Sequence, residues 1–234
     1  MFNFGRNRPS LFSEKLFDQK IKNKIMSLNL MDMLQGNMSD ALIDQLSNQI
    51  GGADRQQTAK ATEGIMTTLM GALAKNASTP EGASSLFNAL EKDHDGGILN
   101  DLSGLIGGNV RPEQQRAANG MGILKHLLGG KQNGAIDMIS QMSGLDSGKT
   151  GNLMSMLAPI IMGTLGQTKR QQGLDVGGIA SLLTNSVATQ RGSNNPTMDL
   201  VTRMLDADGD GSIVDDVASK GLGILSRFLG RKRR

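Results

Sequence analysis

The sequence predicts an all-α fold, a multi-helix bundle with a buried central apolar helix. The first reason is composition: the 234 residues include no Trp or Tyr and only 6 Phe, against 15 Met and 31 Gly. Aromatic and β-branched residues favour strands, so their scarcity argues against a sheet. The second reason is periodicity, because apolar residues recur at helical spacing and no useful run alternates apolar and polar residues.

Start and stop signals divide the chain into successive helices. Ser39 precedes an apolar series at helical spacing, and Gly51 with Gly52 ends that series. Thr79 followed by Pro80 is a further start signal, because proline suits the first helical turn. The predicted helices begin near Ser39, Asp54, Thr79, Arg111, Met121, Asn133 and Asn195.

The segment Leu153–Leu165 is apolar on nearly every side, which is typical of a helix at the centre of a bundle. Pro159 should either kink this helix or fall in its first turns. Gln49–Asn76 aligns with Gln141–Thr168 at an offset of 92, with seven identities in 28 positions. The alignment indicates two related halves, each with a capped helix start followed by a Met-Gly-x-Leu segment.

Charge is concentrated at the two ends of the chain. Residues 1–24 carry a surplus of four positive charges and residues 231–234 add four more, although the net charge is only +3. The body between them is therefore acidic. The predicted organisation is a basic N-terminal segment with a leading helix at 1–38, a helical domain at 39–230 with pseudo-repeats at about 39–110 and 120–230, and a basic tail at 231–234.

Composition also excludes several classes of protein. The chain has no cysteine, which excludes disulfides, thiolate catalysis and cysteine-ligated zinc. Its first residues lack the continuous apolar stretch of a secretory signal. The longest apolar run, from Leu153 to Gly166, falls short of the roughly 20 residues that a membrane span requires. These features predict a soluble, cytoplasmic protein.

Two acidic segments, 115 positions apart, are near copies of each other. Each has carboxylates at alternate residues, then glycine and a branched apolar residue. Calcium-binding helix–loop–helix motifs have this pattern, with oxygen ligands at loop positions 1, 3 and 5, a carbonyl at 7 and a closing carboxylate. The predicted calcium ligands are Glu91, Asp93, Asp95, Gly97 and Asp101 in the first acidic loop (91–101), and Asp206, Asp208, Asp210, Ser212 and Asp216 in the second acidic loop (206–216).

Both loops depart from the calcium motif at their ends. Position 12, where a bidentate Glu normally closes the coordination sphere, is apolar in each, and Asp101 and Asp216 lie one residue early. The first loop also contains Lys92 and His94, which add positive or competing groups. In the alternative interpretation both segments are turns whose aspartates cap the following helix.

Patterns that would indicate catalysis are weak. The segment Ser143–Thr150 resembles a phosphate-binding loop, but Ser143 replaces the first glycine and a helix is predicted before it, so a helix start capped by Asp146 or Ser147 is favoured. His94 and His126 have no neighbours at metal or triad spacing, and His126 is interpreted as a partly buried core residue. No Gly-x-Ser-x-Gly elbow occurs. We therefore predict a non-enzymatic protein without catalytic residues.

The C-terminal stretch suggests possible partners. Apolar residues from Val214 to Phe228 form one helical stripe, and four basic residues follow at the chain end. A basic amphipathic helix can lie on an anionic membrane, although such a stripe also docks on its own bundle. Met-rich helix faces suit an adaptable protein partner, although ordinary core packing explains them as well. Nucleic acid is not expected, because aromatic residues that stack on bases are scarce.

Four segments carry a family resemblance: Gly120–Gly130, Gln141–Leu145, Leu157–Gly163 and the Asp-Gly-Asp-Gly-Ser-Ile run at 208–213. They resemble the YidB-like bacterial family, a domain of unknown function, over most of residues 40–230. The resemblance implies a helical bundle rich in small residues, with a buried central helix, in a bacterium, and it implies no reaction. The sequence therefore predicts a non-enzymatic binding or structural protein with calcium-binding acidic loops. The alternative is an envelope- or membrane-associated protein that uses its C-terminal helix.

Overall fold

The computed structural model describes Leu34, residues 38–192 and residues 196–205, and within these residues the chain forms helices and no strand. The all-α prediction is therefore confirmed. The helices are α1 (Asp40–Gln49), α2 (Arg55–Asn76), α3 (Pro80–Lys92), α4 (Leu102–Ile106), α5 (Gly120–Leu128), α6 (Gln132–Ser143), α7 (Ser147–Gln172), α8 (Val176–Gly192) and α9 (Pro196–Leu205). Single 3-10 turns lie at Gly97–Asp101, Pro112–Gln114 and Gly129–Lys131.

The predicted helix starts are confirmed where a side chain can satisfy an unpaired amide of the first turn. The Ser39 hydroxyl accepts a hydrogen bond from the Leu42 amide, and Asp54 and Thr79 cap α2 and α3 in the same way. The predicted helix at Arg111 is wrong, because only the 3-10 turn Pro112–Gln114 forms there. The only apolar residues directly after that turn are Ala117 and Ala118, so it offers too little apolar surface to hold a longer helix against the core.

Two long helices, α2 and α7, form the centre of the bundle and pack against each other. The predicted central segment lies within α7, where Leu153, Leu157 and Leu165 are at most 1% exposed. Burying each such leucine contributes about 1.5–3 kcal/mol of transfer free energy. The helices α5 and α6 pack on both central helices, and α3 and the turn Gly97–Asp101 pack on α7.

Pro159 lies in the middle of α7, and the helix continues through it. The alternative that Pro159 falls in the first turns of the helix is therefore wrong. A proline has no amide hydrogen, so the carbonyl of Ser155, four residues earlier, cannot receive its usual helical hydrogen bond. Gly120, the first residue of α5, lies against this carbonyl, and a Cβ at Gly120 would overlap the carbonyl oxygen. The proline and the glycine together bring the start of α5 close to the central helix.

The two segments of the sequence alignment occupy equivalent places. Asp54 and Asp146 cap the two central helices, and the hydroxyl of Thr58 or Thr150 donates to the carbonyl of the capping aspartate, at 2.9 Å in both cases. Each central helix therefore begins with the same two features, a capping aspartate and a threonine that donates to its carbonyl. The division into pseudo-repeats over whole halves stays a prediction.

Candidate functional site: the first acidic loop and the adjacent cleft

The first acidic loop lies between α3 and α4, and each of its three alternate carboxylates contacts a protein cation. Glu91 pairs with Lys169, whose side chain is only 8% exposed. Asp95 pairs with Arg170 at 2.9 Å, and Asp93 pairs with Arg116 at 3.2 Å. The three acidic side chains therefore have their negative charge balanced from within the protein.

The other two predicted ligands of this loop also have partners. The carbonyl of Gly97 accepts a hydrogen bond from Gln114 Nε2 at 3.1 Å. Asp101 Oδ1 accepts from the Gly104 amide at 2.8 Å, so Asp101 caps α4, as in the capped-turn interpretation. Over the residues that the structure describes, no group of three or more His, Asp or Glu side chains could hold a metal ion. All five predicted ligands of the first loop thus have partners within the protein, and calcium binding there stays a prediction.

Close contact with α7 explains why the cations reach this loop. A Cβ at Gly166 would overlap the carbonyl of His94, and a Cβ at Gly163 would lie 2.8 Å from Ile98 Cγ2. The two glycines allow the loop backbone to lie directly on α7. The last turn of α7, which carries Lys169 and Arg170, is therefore beside Glu91 and Asp95. Gly96 has a φ of 97°, a left-handed conformation that favours glycine at this turn.

The second acidic loop, with Asp206, Asp208, Asp210, Ser212 and Asp216, lies outside the described residues, as does the predicted C-terminal stripe. The helix that precedes it, α9, ends at Leu205. Lys131 Nζ donates to the carbonyls of Met204 and Leu205, at 2.8 and 3.2 Å, and Lys75 Nζ also donates to Leu205. Two ammonium groups therefore contact the end of α9.

A cleft with a volume of about 560 Å³ lies beside the first acidic loop. Its walls are α3 and α5, which both pack on α7 but have few contacts with each other. The two helices are antiparallel: Asn76, just before α3, donates to the Leu127 carbonyl near the end of α5, whereas Asp93, at the end of α3, pairs with Arg116, just before α5. Leu86, Ile123 and Met162 line the cleft.

Both histidines of the chain line this cleft. His94 is 7% exposed, and its buried Nδ1 has no hydrogen-bond partner within the described structure. Desolvation lowers the pKa of His94 below its usual 6.5, and the negative charge of Asp93 opposes this shift. A second cavity, of about 190 Å³, lies on the loop side and shares Asp93, His94 and Arg116 with the cleft.

The interpretation of His126 as a core residue is wrong, because its side chain is exposed at the other end of the cleft. One side of α5 carries residues at a spacing of three or four: Asn119, Gly122, Ile123 and His126. This spacing in the sequence indicates that the four residues share one face of the helix, the face that lines the cleft. No signal in the sequence relates this face to His94. The relation depends on how α3 and α5 lie on α7.

The segment that resembles a phosphate-binding loop is a helix start, as predicted. Asp146 Oδ1 accepts hydrogen bonds from the amides of Gly148 and Lys149, at 2.9 and 3.2 Å. These are the amides that would bind a phosphate. The carboxylate therefore occupies the anion position.

In the described part of the chain, no helix is both long and apolar enough to cross a bilayer. Comparison with known proteins gives no match among the curated proteins and none among the solved structures. Residues 32–168, more than half of the chain, match the family described as "Bacterial protein of unknown function (DUF937)". The helical bundle, its buried central helix and this match together show that the chain belongs to that bacterial family of unknown function.

Proposed function

We propose that the protein is a non-enzymatic binding protein and that the cleft between α3 and α5 is its site for a small ligand. The observation that supports this proposal most directly is His94, whose buried imidazole has an unpartnered Nδ1 and lines a cleft of ligand size. A buried polar atom without a partner costs about 1–3 kcal/mol. Such a cost is often tolerated at functional sites.

The lining of the cleft is typical of a binding site. Apolar side chains, among them Leu86, Ile123 and Met162, line its walls together with polar and charged side chains, among them Ser85 and Asn119. Small-molecule sites in proteins are concave and mostly apolar, with volumes of about 300–1,000 Å³ and few polar groups for orientation. The gap between two helices of a bundle is a common place for them.

The positions of the polar groups support binding rather than catalysis. Ser85 lines the cleft, but among the described residues it has no hydrogen bond to either imidazole. His94 and His126 lie at opposite ends of the cleft. Acyl transfer needs a nucleophile and a base in contact, and this arrangement does not supply such a pair.

The neutral amphiphile 1-decanol tests the proposal, because it can fill an apolar cleft without any charge interaction. Calorimetric titration of the full chain should give saturable binding at one site. Ser85→Trp should abolish this binding, because the indole fills the cleft from an exposed position of α3. Ser84→Trp is the matched control, since Ser84 is exposed on the same helix and does not line the cleft. Equal binding by the two variants would contradict the proposal.

Calcium binding by the second acidic loop is a second candidate function. Asp206, Asp208 and Asp210 alternate along the chain as calcium ligands do, and three crowded carboxylates repel one another unless a cation is present. In this proposal the ion stabilises the end of α9 or makes the protein a calcium sensor. A cytoplasmic location and membrane association through the C-terminal stripe stay predictions.

A further inference from the structure

We propose that the cleft selects an amphiphile with an anionic head, such as a carboxylate on a linear hydrocarbon chain, and that the head lies at the Arg116 end. This inference rests on the proposed function, because it assigns a ligand class to the same cleft. The inference depends on the charged side chains at each end of the cleft and on the N–H donors of Arg116 that its pair with Asp93 does not use.

The two ends of the cleft differ in charge. Arg116 is at the end where α3 finishes, together with Asp93 and His94, and it is the one Lys or Arg among the described lining residues. Glu81 is at the opposite end with the exposed His126. Glu81 and Asp93 are 12 positions apart on the same side of the cleft, which corresponds to about 18 Å along a helix. An anionic head is therefore disfavoured at the Glu81 end, whereas at the Arg116 end a guanidinium can contact the head and offset the charge of Asp93.

Helix dipoles do not favour either end. The cleft is flanked by antiparallel helices, so the positive end of α5 lies beside the negative end of α3, and the reverse holds at the other end. These partial charges largely oppose each other. The charged side chains therefore decide which end of the cleft an anionic head prefers.

Arg116 has unused hydrogen-bonding capacity. A guanidinium has five N–H donors in a planar fork that matches a carboxylate. Within the described structure Arg116 donates to Asp93 at 3.2 Å, and its side chain is 83% exposed. Most of the fork is therefore available to a second carboxylate.

His94 suits an anionic head next to Arg116. Because desolvation lowers its pKa, the imidazole is neutral at neutral pH and does not repel an anion as a carboxylate would. A neutral imidazole also has one donor nitrogen. Apolar residues continue from this end along the cleft, so a hydrocarbon chain can extend over Ile123 and Met162.

The Asp93 carboxylate weakens anion binding at Arg116, and this effect makes the proposal testable. Its carboxylate competes with the ligand for Arg116 and repels an anionic head. Replacing Asp93 with asparagine should therefore tighten anion binding without changing the binding of a neutral amphiphile. A purely structural role for the Asp93–Arg116 pair would not produce this selective effect.

The experiment is calorimetric titration of the full chain at neutral pH with decanoate, 1-decanol and decylammonium, which share a ten-carbon chain and differ in the head. We expect decanoate to bind about threefold more tightly than 1-decanol, because Arg116 is largely exposed, and decylammonium to bind more weakly than both. Equal affinities, or tighter binding of decylammonium, would overturn the anionic-head inference while the proposed cleft stands. If none of the three binds, the proposed function fails as well.

Substitutions of Arg116 and Asp93 test whether these residues cause the preference for an anionic head. Arg116→Gln should reduce decanoate affinity to that of 1-decanol, whereas Arg111→Gln, which removes an exposed arginine outside the cleft, should leave it unchanged. Asp93→Asn should raise decanoate affinity several-fold and leave 1-decanol affinity the same. Equal losses in the two arginine variants, or an unchanged decanoate affinity in Asp93→Asn, would overturn the inference.

Discussion

The first acidic loop and the cleft share Asp93, His94 and Arg116, yet they use their polar groups in opposite ways. In the loop every predicted ligand has a protein partner: three carboxylates contact cations, the Gly97 carbonyl accepts from Gln114, and Asp101 caps α4. In the cleft, by contrast, His94 Nδ1 has no partner and Arg116 uses little of its fork in the described structure. We infer that the loop holds the bundle together and that the cleft is where a ligand binds.

The largest expected effect tests the structural role of the loop. Gly166→Ala would place a Cβ on the carbonyl of His94, so the loop must move away from α7. We expect a loss of about 3 kcal/mol in the free energy of unfolding, because the contact is with backbone. Urea denaturation measures this loss. Gly130→Ala is the control, since a Cβ there meets nothing within 4 Å, and a similar loss in both variants would contradict the prediction.

A smaller loss is expected when the most buried cation of the loop is removed. Lys169 is 8% exposed, pairs with Glu91 and lies 4.2 Å from the centroid of the Phe87 ring. Lys169→Met should lower the free energy of unfolding by about 1–2 kcal/mol, with the cation–π contact included. Arg170→Met should cost less than about 0.5 kcal/mol, because the Arg170–Asp95 pair is half exposed. Equal losses by urea denaturation would show that burial does not decide the strength of these pairs.

The sequence predicts the local features of the fold, but not the contacts that distinguish the first acidic loop from the cleft. Caps at Ser39, Asp54, Thr79 and Asp146 follow from side chains within three residues of the amides they accept from, and the structure confirms them. The cations of the first loop could not be predicted, because Lys169 is 78 positions from Glu91. The spacing of acidic residues alone does not show which cation balances them.

The cleft could not be predicted either, for the same physical reason. It exists because α3 and α5 pack on α7 without closing on each other, and no local pattern predicts that gap. The sequence indicates His94 only as a group that competes inside the loop, and His126 as a core residue. Packing places both at one cleft, although 32 positions separate them in the chain.

Calcium tests whether the two acidic loops differ in ion binding. At millimolar calcium we expect a stabilisation of about 1 kcal/mol, or a rise of about 2–4 °C in Tm, given a weak site without the closing Glu. Asp208→Ala combined with Asp210→Ala should remove this rise. Asp93→Asn combined with Asp95→Asn should keep it, because protein cations contact those carboxylates in the first loop. Loss of the rise in the second pair instead would place the ion in the first loop.

The smallest expected effect is a pH dependence that comes from His94. Its pKa in the folded protein is lowered by desolvation, with Asp93 opposing, so the unfolded chain binds a proton more readily. Stability should therefore be full above pH 6.5, fall as the pH drops below that value, and level off below the folded pKa. His94→Gln should remove this part of the pH dependence in urea denaturation, whereas His126→Gln, at an exposed position, should keep it. An unchanged profile in His94→Gln would contradict the assignment.

Paired measurements of stability and 1-decanol binding on Lys169→Met and Ser85→Trp test most directly the claim that loop and cleft have separate roles. The account predicts that Lys169→Met is destabilised but binds 1-decanol as the unaltered protein does. It predicts that Ser85→Trp keeps its stability but loses binding. If Ser85→Trp still binds, or if Lys169→Met loses binding while folded, the division between a structural loop and a ligand-binding cleft is contradicted.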